Sequence, residues 1–138
     1  MQKITEPIQL AHLACRNRVI RSAVHSFLGT PDGQMTEAEY QMYEMLAAHD
    51  VGTIITGHCC VAPTGRANPE QINIFSDAMI PQFAKAAELV HQQDTRFIVQ
   101  INHAGPRAID CEDLADVVAR PLKKNREARM LTGEEIRT

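Results

Sequence analysis

The run VGTIITGHCCV, residues 51–61, constrains the fold of this chain more than any other stretch. It is nearly all apolar up to Thr56, whereas a strand with one solvated face would alternate apolar and polar residues. Continuous hydrophobicity over such a short length indicates a strand that is covered on both faces. Because strands of this kind are typical of parallel sheets covered by helices, the run predicts an α/β protein.

The segments on either side of this run predict a regular alternation of strands and helices. Residues 17–24 are rich in β-branched side chains and predict a first strand, and residues 96–105 predict a third. Residues 36–50 and 78–94 carry apolar side chains at helical spacing. The order β-α-β-α-β indicates right-handed crossover units and a parallel sheet. After the third strand the chain is polar and is expected to be irregular.

Both predicted helices begin with recognisable signals. Thr36 and Glu39 form a capping box, in which the hydroxyl accepts from the N3 amide and the carboxylate reaches back to the N-cap amide. Ser76 or Asp77 is the expected N-cap of the second helix, and Pro81 falls in its first turn, where a missing N–H costs little. The buried face of this second helix is expected to comprise Ile80, Phe83, Ala87 and Val90.

Length and composition place the chain among globular proteins and narrow its partners. A chain of 138 residues suits one domain, so residues 1–138 are expected to form one segment without a second domain. A net charge of −3 gives no reason to propose nucleic acid or an anionic membrane as a partner. No apolar run approaches the roughly 18 residues of a membrane span. The four cysteines include no C-x-x-C pair, which favours reduced thiols and a cytoplasmic protein.

The predicted sheet is too small to be covered completely. Three parallel strands with two helices leave sheet edges whose unpaired backbone groups favour association. Thr132 and Glu135 form another capping box, but only three residues follow to build the helix that it predicts. We therefore expect part of a larger barrel: a truncated product, a split enzyme completed by another chain, or a self-associating fragment.

Polar residues gather where each predicted strand ends. Residues 22–25 follow the first strand, Gly57 and His58 follow the second, and residues 100–103 follow the third. In parallel α/β folds, ligands bind at the carboxyl ends of the strands. Gly57 suits close approach by a flat ligand, and Gln100 offers an acceptor and two donors. These strand ends predict a ligand site.

A metal site is the alternative reading of the same strand ends. His25, His58 and His103 would form a three-histidine site, as in a metal-dependent hydrolase barrel. No H-x-H or H-E-x-x-H spacing supports this site. No phosphate-binding glycine loop occurs either. A non-catalytic barrel fragment that only associates with other chains is a further alternative.

Several separated motifs resemble one family. PIQLAHLACRNRVIRSAVHS, then DGQMTEAEYQMYEMLAAHDVGTIITGHCCVAPTGRANPEQINIFSD, then FIVQINHAGPRA resemble the N-terminal part of the Old Yellow Enzyme family of FMN-dependent NADH:flavin oxidoreductases. The resemblance runs from about residue 6 to the end of the chain. The stretch RSAVHS is most similar to the branch that includes 2,4-dienoyl-CoA reductase and trimethylamine dehydrogenase.

The resemblance implies a fold and a set of flavin contacts. The family fold is an eight-stranded (β/α) barrel with FMN at its C-terminal mouth, of which this chain would supply about three βα units. His25 would contact the flavin near N5 and O4, Gly57 would give a backbone contact, and Gln100 would bind the pyrimidine edge. Phe27 and Asn102 would line the substrate side. The residues passing under the flavin would be Ser22, Ala23 and Val24.

The resemblance also implies an activity that this chain does not complete. Family members take hydride from NAD(P)H onto FMN and pass it to an electron-poor alkene or a related acceptor. Their substrate-binding pair, proton donor and phosphate loops come from later strands. The chain is therefore expected to supply part of a flavin site and to have no catalytic residues or activity alone.

Overall fold

A short antiparallel hairpin opens the fold in the computed structural model, which describes residues 3–109, 115–116, 120–121 and 127–135. Its strands are β1 (Ile8–Leu10) and β2 (Leu13–Cys15). The Cys15 thiol accepts a hydrogen bond from the Thr53 hydroxyl at 3.4 Å. The guanidinium of Arg96 donates to the Ala14 carbonyl. The hairpin therefore closes the end of the sheet at which the strands begin.

Three parallel strands form the central sheet, as predicted. β3 spans Ile20–Arg21, β4 spans Thr53–Cys60, and β5 spans Arg96–Asn102, in the order β3–β4–β5. β4 is the middle strand, and Ile54, Cys59 and Cys60 on it are buried, in agreement with its continuous hydrophobicity. Among the described residues, β3 and β5 are the edge strands of this sheet.

The first strand is shorter than the predicted range of residues 17–24. Asn17 is buried, and its side chain donates to the Asp50 carbonyl at 2.8 Å and accepts from the Val19 amide at 2.9 Å. The Asn17 side chain holds the start of this segment, and the Val19 carbonyl accepts from the Gly52 and Thr53 amides at 3.0 and 3.2 Å, so regular strand pairing begins only at Ile20. Residues 22–26 leave the sheet unpaired and run over its carboxyl end.

Both predicted helices form, with one correction to the capping of the first. Helix α1 spans Glu37–Ala48, and the Thr36 hydroxyl accepts from the Glu39 amide at 3.4 Å. The Glu39 carboxylate, however, accepts from the Ser26 hydroxyl at 2.5 Å, where the capping box predicted a bond to the amide of Thr36. Spacing along a helix reveals a local cap but not a competing partner from another segment.

The second helix is also corrected in its buried face. A turn of 3-10 helix, Asp77–Met79, is capped by Ser76 and leads into α2, Ile80–His91. Gln82, Ala86 and Val90 are buried, whereas Ile80 is 61% exposed. Gln82 is buried because it hydrogen-bonds two backbone groups, and hydrophobic periodicity cannot detect a buried polar side chain of this kind.

The core lies between the two helices and one face of the sheet. Tyr43 is 1% exposed, and its ring meets the Phe97 ring edge-to-face at 5.2 Å. Burial raises the pKa of Tyr43 far above its ordinary value, and Glu39 adds to the effect by its charge and a hydrogen bond. The remaining buried core residues are Met35, Tyr40, Ala47, Ile54, Cys59, Ile72, Ala86 and Val90.

The end of the chain contains short strands that the sequence did not predict. β6 (Ala115–Asp116) and β7 (Arg120–Pro121) flank β8 (Glu127–Met130), parallel and antiparallel to it respectively. The predicted capping box of Thr132 and Glu135 forms, with bonds of 3.3 and 2.8 Å. Residues 133–135 form a turn, and the rest of the predicted helix and Cys111 lie outside the described residues.

Three of the four cysteines, Cys15, Cys59 and Cys60, are buried free thiols, as predicted. Burial raises the pKa of Cys59 to about 11. Across the described ranges, no helix combines the length and the apolar character needed to cross a bilayer.

Candidate functional site

A β-bulge sets the geometry of the strand ends. β4 and β5 pair Ile55 with Ile98 and then His58 with Gln100, so β4 gains one residue over its partner. The Thr56 hydroxyl stabilises the bulge, since it accepts from the Gln100 amide at 3.1 Å and donates to the Gly57 carbonyl at 2.8 Å. Bulges are common beside active sites because they re-aim side chains. Here the bulge brings His58 level with Gln100.

Gly57 lies in this bulge and lets a neighbouring segment approach. A Cβ at this position would stand 3.1 Å from the Val24 carbonyl oxygen and 3.3 Å from the Cα of His25. A side chain at residue 57 would therefore push away the segment that follows β3. The absence of a side chain at Gly57 therefore allows residues 24–25 to lie close over the end of β4.

These strand ends enclose a cavity of about 310 Å³, here called the carboxyl-end cavity. Its wall comes from the segment after β3, from the end of β4 and from the end of β5. Four of the six lining side chains can hydrogen-bond and two are apolar. The lining residues are Ala23, His25, His58, Gln100, Ile101 and Asn102.

His25 is held in this wall by ring contacts. Its imidazole meets the Phe27 ring edge-on at 4.1 Å between centroids and the His58 imidazole at 5.0 Å. Both ring nitrogens of His25 are shielded from solvent and have no hydrogen-bond partner in the described part of the chain. The same is true of Nδ1 of His58. A buried nitrogen without a partner carries a desolvation cost that a ligand can remove.

Two of the other shielded atoms without partners are of a different kind. Nε of Arg16 and Oδ1 of Asn73 belong to side chains that hydrogen-bond through another atom.

Desolvation lowers the pKa of His58 below its ordinary value, and the nearby His25 lowers it further. His58 therefore favours the neutral imidazole, which can both donate and accept.

Gln71 supports the cavity from behind and was not singled out in the sequence. It is fully buried, and its amide donates to the His58 carbonyl at 3.1 Å and to Oδ1 of Asn102 at 3.3 Å. Its own oxygen accepts from the Ala67 amide at 2.6 Å. The carbonyl side of the Asn102 amide is therefore fixed by the protein, and the loop of residues 62–76 buttresses the cavity.

The structure brings together four of the eight predicted site residues in the cavity wall: Ala23, His25, Gln100 and Asn102. The other four lie next to them. Ser22 and Val24 are exposed on the segment that crosses the strand ends, and Gly57 lies against that segment. Phe27 is 65% exposed, with its ring against His25. His58, which the sequence analysis named in the alternative metal site, also lines this cavity. Its position directly after Gly57 at the strand end was the sequence signal for this placement.

The alternative three-histidine metal site is not formed. His103 turns away from the pair of His25 and His58, since its ring packs on Gly65 and its Nδ1 accepts from the Gly105 amide at 3.0 Å. Over the described residues, no group of three or more His, Cys, Asp or Glu side chains is arranged to hold a metal ion. The metal-dependent hydrolase hypothesis was therefore wrong about this constellation.

Comparison with known proteins agrees with the fold and the order of the motifs. The model of the NADH:flavin oxidoreductase / NADH oxidase family matches residues 3–137. NADPH dehydrogenase of Bacillus subtilis (strain 168) is 32% identical over 108 residues, covering 78% of this chain and 32% of that protein. NADH:fumarate oxidoreductase of Klebsiella pneumoniae (strain 342) is 30% identical over 143 residues, covering 98% of this chain and 15% of that protein.

Solved structures give the same fold. The old yellow enzyme homologue of Zymomonas mobilis superimposes with a TM-score of 0.87 at 21% identity, over 99% of this chain and 41% of that one. The chain thus has the fold of the N-terminal part of a (β/α) barrel, and it spans a third or less of the length of these two curated relatives. The family is FMN-dependent, with a reduced nicotinamide as its reductant. This chain belongs to the NADH:flavin oxidoreductase / NADH oxidase family.

Proposed function

We propose that the carboxyl-end cavity is one side of the FMN site of an ene-reductase-type oxidoreductase, which moves hydride from NAD(P)H to an electron-poor acceptor. The observation that carries this proposal is the pair of unpartnered ring nitrogens on His25, which lies in the same cavity wall as Gln100. FMN, when bound, supplies the ring that accepts and donates the hydride. The residues of this chain bind and orient that ring.

The residues present fit a flavin ring. Gln100 is exposed at the end of β5, and its amide offers both a donor and an acceptor to an edge of mixed polarity. His25 offers a donor from the neighbouring segment. Exposed Val24 and half-buried Ala23 give the flat face of the ring an apolar seat beside Ser22. Donors around such a ring stabilise its reduced, negatively charged form.

Two further residues are proposed for the substrate side. Phe27 is exposed beyond His25 and presents an aromatic face next to the cavity. Asn102 has its amide oxygen held by Gln71, which leaves its N–H groups as the part that can donate to a bound molecule. We assign no catalytic residue to this chain. The proton donor and the phosphate loops belong to the later strands of the family's barrel.

A titration that compares riboflavin with FMN tests the proposal. Because the proposed contacts are all to the ring, the 138-residue chain is expected to bind both compounds weakly and equally. Amide signals in 1H–15N NMR spectra should shift at Ala23, His25 and Gln100, and not in α2. The variant Gln100→Leu should weaken both ligands alike, whereas Gln92→Leu, at the exposed end of α2, should change neither. The proposal would be contradicted if only amide signals of α2 shifted, or if the chain bound FMN tightly and riboflavin not at all.

We also propose that a further chain or a second copy completes the barrel around this segment of residues 1–138. The support is the outer edge of β5, which pairs with no other strand among the described residues, and the exposure of Ile98 (38%) and Ile101 (67%) on that strand. Exposed apolar side chains on an open strand edge favour pairing with another strand. Sedimentation equilibrium of the chain should show self-association that Ile101→Lys reduces. A concentration-independent monomer would exclude the second copy as the occupant.

A further inference from the structure

We propose that Glu39, which lies outside the carboxyl-end cavity, is a positioning residue that fixes the turn of His25, Ser26 and Phe27 in the cavity wall. Its effect on flavin binding rests on the function proposed above, but its effect on the turn does not. Glu39 is 2% exposed, and its carboxylate accepts from the Ser26 hydroxyl at 2.5 Å. A buried carboxyl group needs such partners, and bonds to charged groups are among the stronger hydrogen bonds in proteins.

The tether connects directly to the residue that faces the cavity. Ser26 follows His25 in the chain, and its hydroxyl oxygen also accepts from the Leu28 amide at 3.3 Å. A second bond holds the other side of the turn, since the Thr36 hydroxyl donates to the Leu28 carbonyl at 2.7 Å. Both anchors belong to the first turn of α1 and its cap, so the start of this helix clamps the segment that follows β3.

Phe27 shows why a clamp is needed. Its φ of +58° lies in the left-handed region, which a bulky side chain adopts only when its surroundings enforce it. The two anchors flank Phe27, at Ser26 and at Leu28. They hold its ring edge-on against the His25 imidazole at 4.1 Å. Without the anchors, Phe27 would relax to a negative φ and its ring would leave His25.

Glu39 also engages a core residue. Burial is the first cause of the raised pKa of Tyr43, and Glu39 raises that pKa further by its charge and a hydrogen bond, while Arg21 opposes the shift. Glu39 thus interacts both with Tyr43 in the core and with Ser26 in the turn. Its position three residues after Thr36 predicts a helix cap, but the structure uses it between two segments.

NMR of the full chain with labelled histidine tests the tether without any ligand. The ring current of Phe27 displaces the imidazole proton signals of His25, and Phe27→Leu gives the signal position without that ring. Glu39→Leu and Ser26→Ala should each move the His25 signals at least halfway toward that position. Glu39→Gln, which keeps an acceptor for Ser26, should stay close to the original chain. The control Gln82→Leu lowers stability at a distant site and should leave the His25 signals unchanged.

Two results would overturn the inference. In one, His25 signals stay in place in folded Ser26→Ala while Phe27→Leu displaces them. In the other, Phe27→Leu displaces nothing, which would mean that the two rings do not meet. If Glu39→Leu does not fold, Ser26→Ala carries the test because it removes only the small hydroxyl partner.

Riboflavin titration of the same variants separates this inference from the proposed function. Ser26→Ala should weaken riboflavin by about fivefold, the effect of one lost hydrogen bond, if the turn contributes to a flavin site. His25 signals that respond to the variants in a chain that does not bind riboflavin would support the tether and contradict the flavin site. Riboflavin binding that persists with unmoved His25 signals would contradict the tether alone.

Discussion

Gln82, at the interface between the two helices, and His25, in the carboxyl-end cavity, both place polar atoms away from solvent, but in the described part of the chain only Gln82 has hydrogen-bond partners for them. At the interface, Gln82 accepts from the Met35 amide at 2.7 Å and donates to the Asn73 carbonyl at 3.3 Å. In the cavity, neither ring nitrogen of His25 has a partner in the described part of the chain. The fold itself therefore satisfies the buried polar side chain at the helix interface, whereas the cavity leaves polar atoms that a ligand can satisfy.

The largest difference between these regions should come from their aromatic residues. Tyr43 is 1% exposed in the core, whereas Phe27 is 65% exposed beside the cavity. Tyr43→Ala should lower the free energy of unfolding by about 3–5 kcal/mol, because it leaves a cavity against Phe97. Phe27→Ala should change it by less than about 0.5 kcal/mol. Urea unfolding followed by circular dichroism measures both, and equal effects would abolish the distinction between the regions.

The polar residues provide a finer comparison. Gln82→Leu leaves the buried Met35 amide without its acceptor and should cost about 1–3 kcal/mol of unfolding free energy. His25→Leu removes no protein hydrogen bond and should change that energy by at most about 0.5 kcal/mol, or raise it. Urea midpoints of both variants, measured with equal slopes, decide the point. A loss of stability in His25→Leu as large as that in Gln82→Leu would mean that His25 has a structural partner.

The elements predicted from the sequence are those with a clear hydrophobic period or a local cap. β4, β5 and both helices follow the apolar pattern, and Thr36 caps α1 as expected. Ser76 caps the 3-10 turn before α2 and not α2 itself, whose N-cap is Met79. The hairpin and the two-residue strands after β5 are too short to show a period, because their pairing depends on residues distant in the chain. The sequence therefore predicts the parallel sheet but neither the hairpin that closes the end at which its strands begin nor the short strands after β5.

The candidate site was predictable to the same extent. The strand ends identified His25 and Gln100, because parallel strands meet at one edge of a sheet. Gln71 and Gln82 were missed because polar side chains are ordinarily exposed, and only their backbone partners explain their burial. Glu39 was assigned to a helix cap from its spacing to Thr36. Its bond to Ser26 was missed because that bond joins two different segments. Contacts of this kind depend on tertiary structure and leave no spacing to detect.

The smallest effect expected is a pH dependence that comes from the cavity alone. The pKa of His58 in the folded chain lies below its ordinary value of 6.5, first because it is desolvated and then because His25 is near. Between the folded value and 6.5 the unfolded chain binds more protons, so the free energy of unfolding rises with pH in that window. Stability should therefore fall as the pH is lowered from about 7 toward the folded pKa.

The variant His58→Gln should flatten this slope in urea unfolding measured at intervals between about pH 5 and 7.5. His12→Gln, exposed in the turn between β1 and β2 at the other end of the sheet, should retain the slope of the original chain. Parallel curves for the original chain and His58→Gln would mean that the cavity does not desolvate His58, and the contrast with the helix interface would then rest on His25 alone.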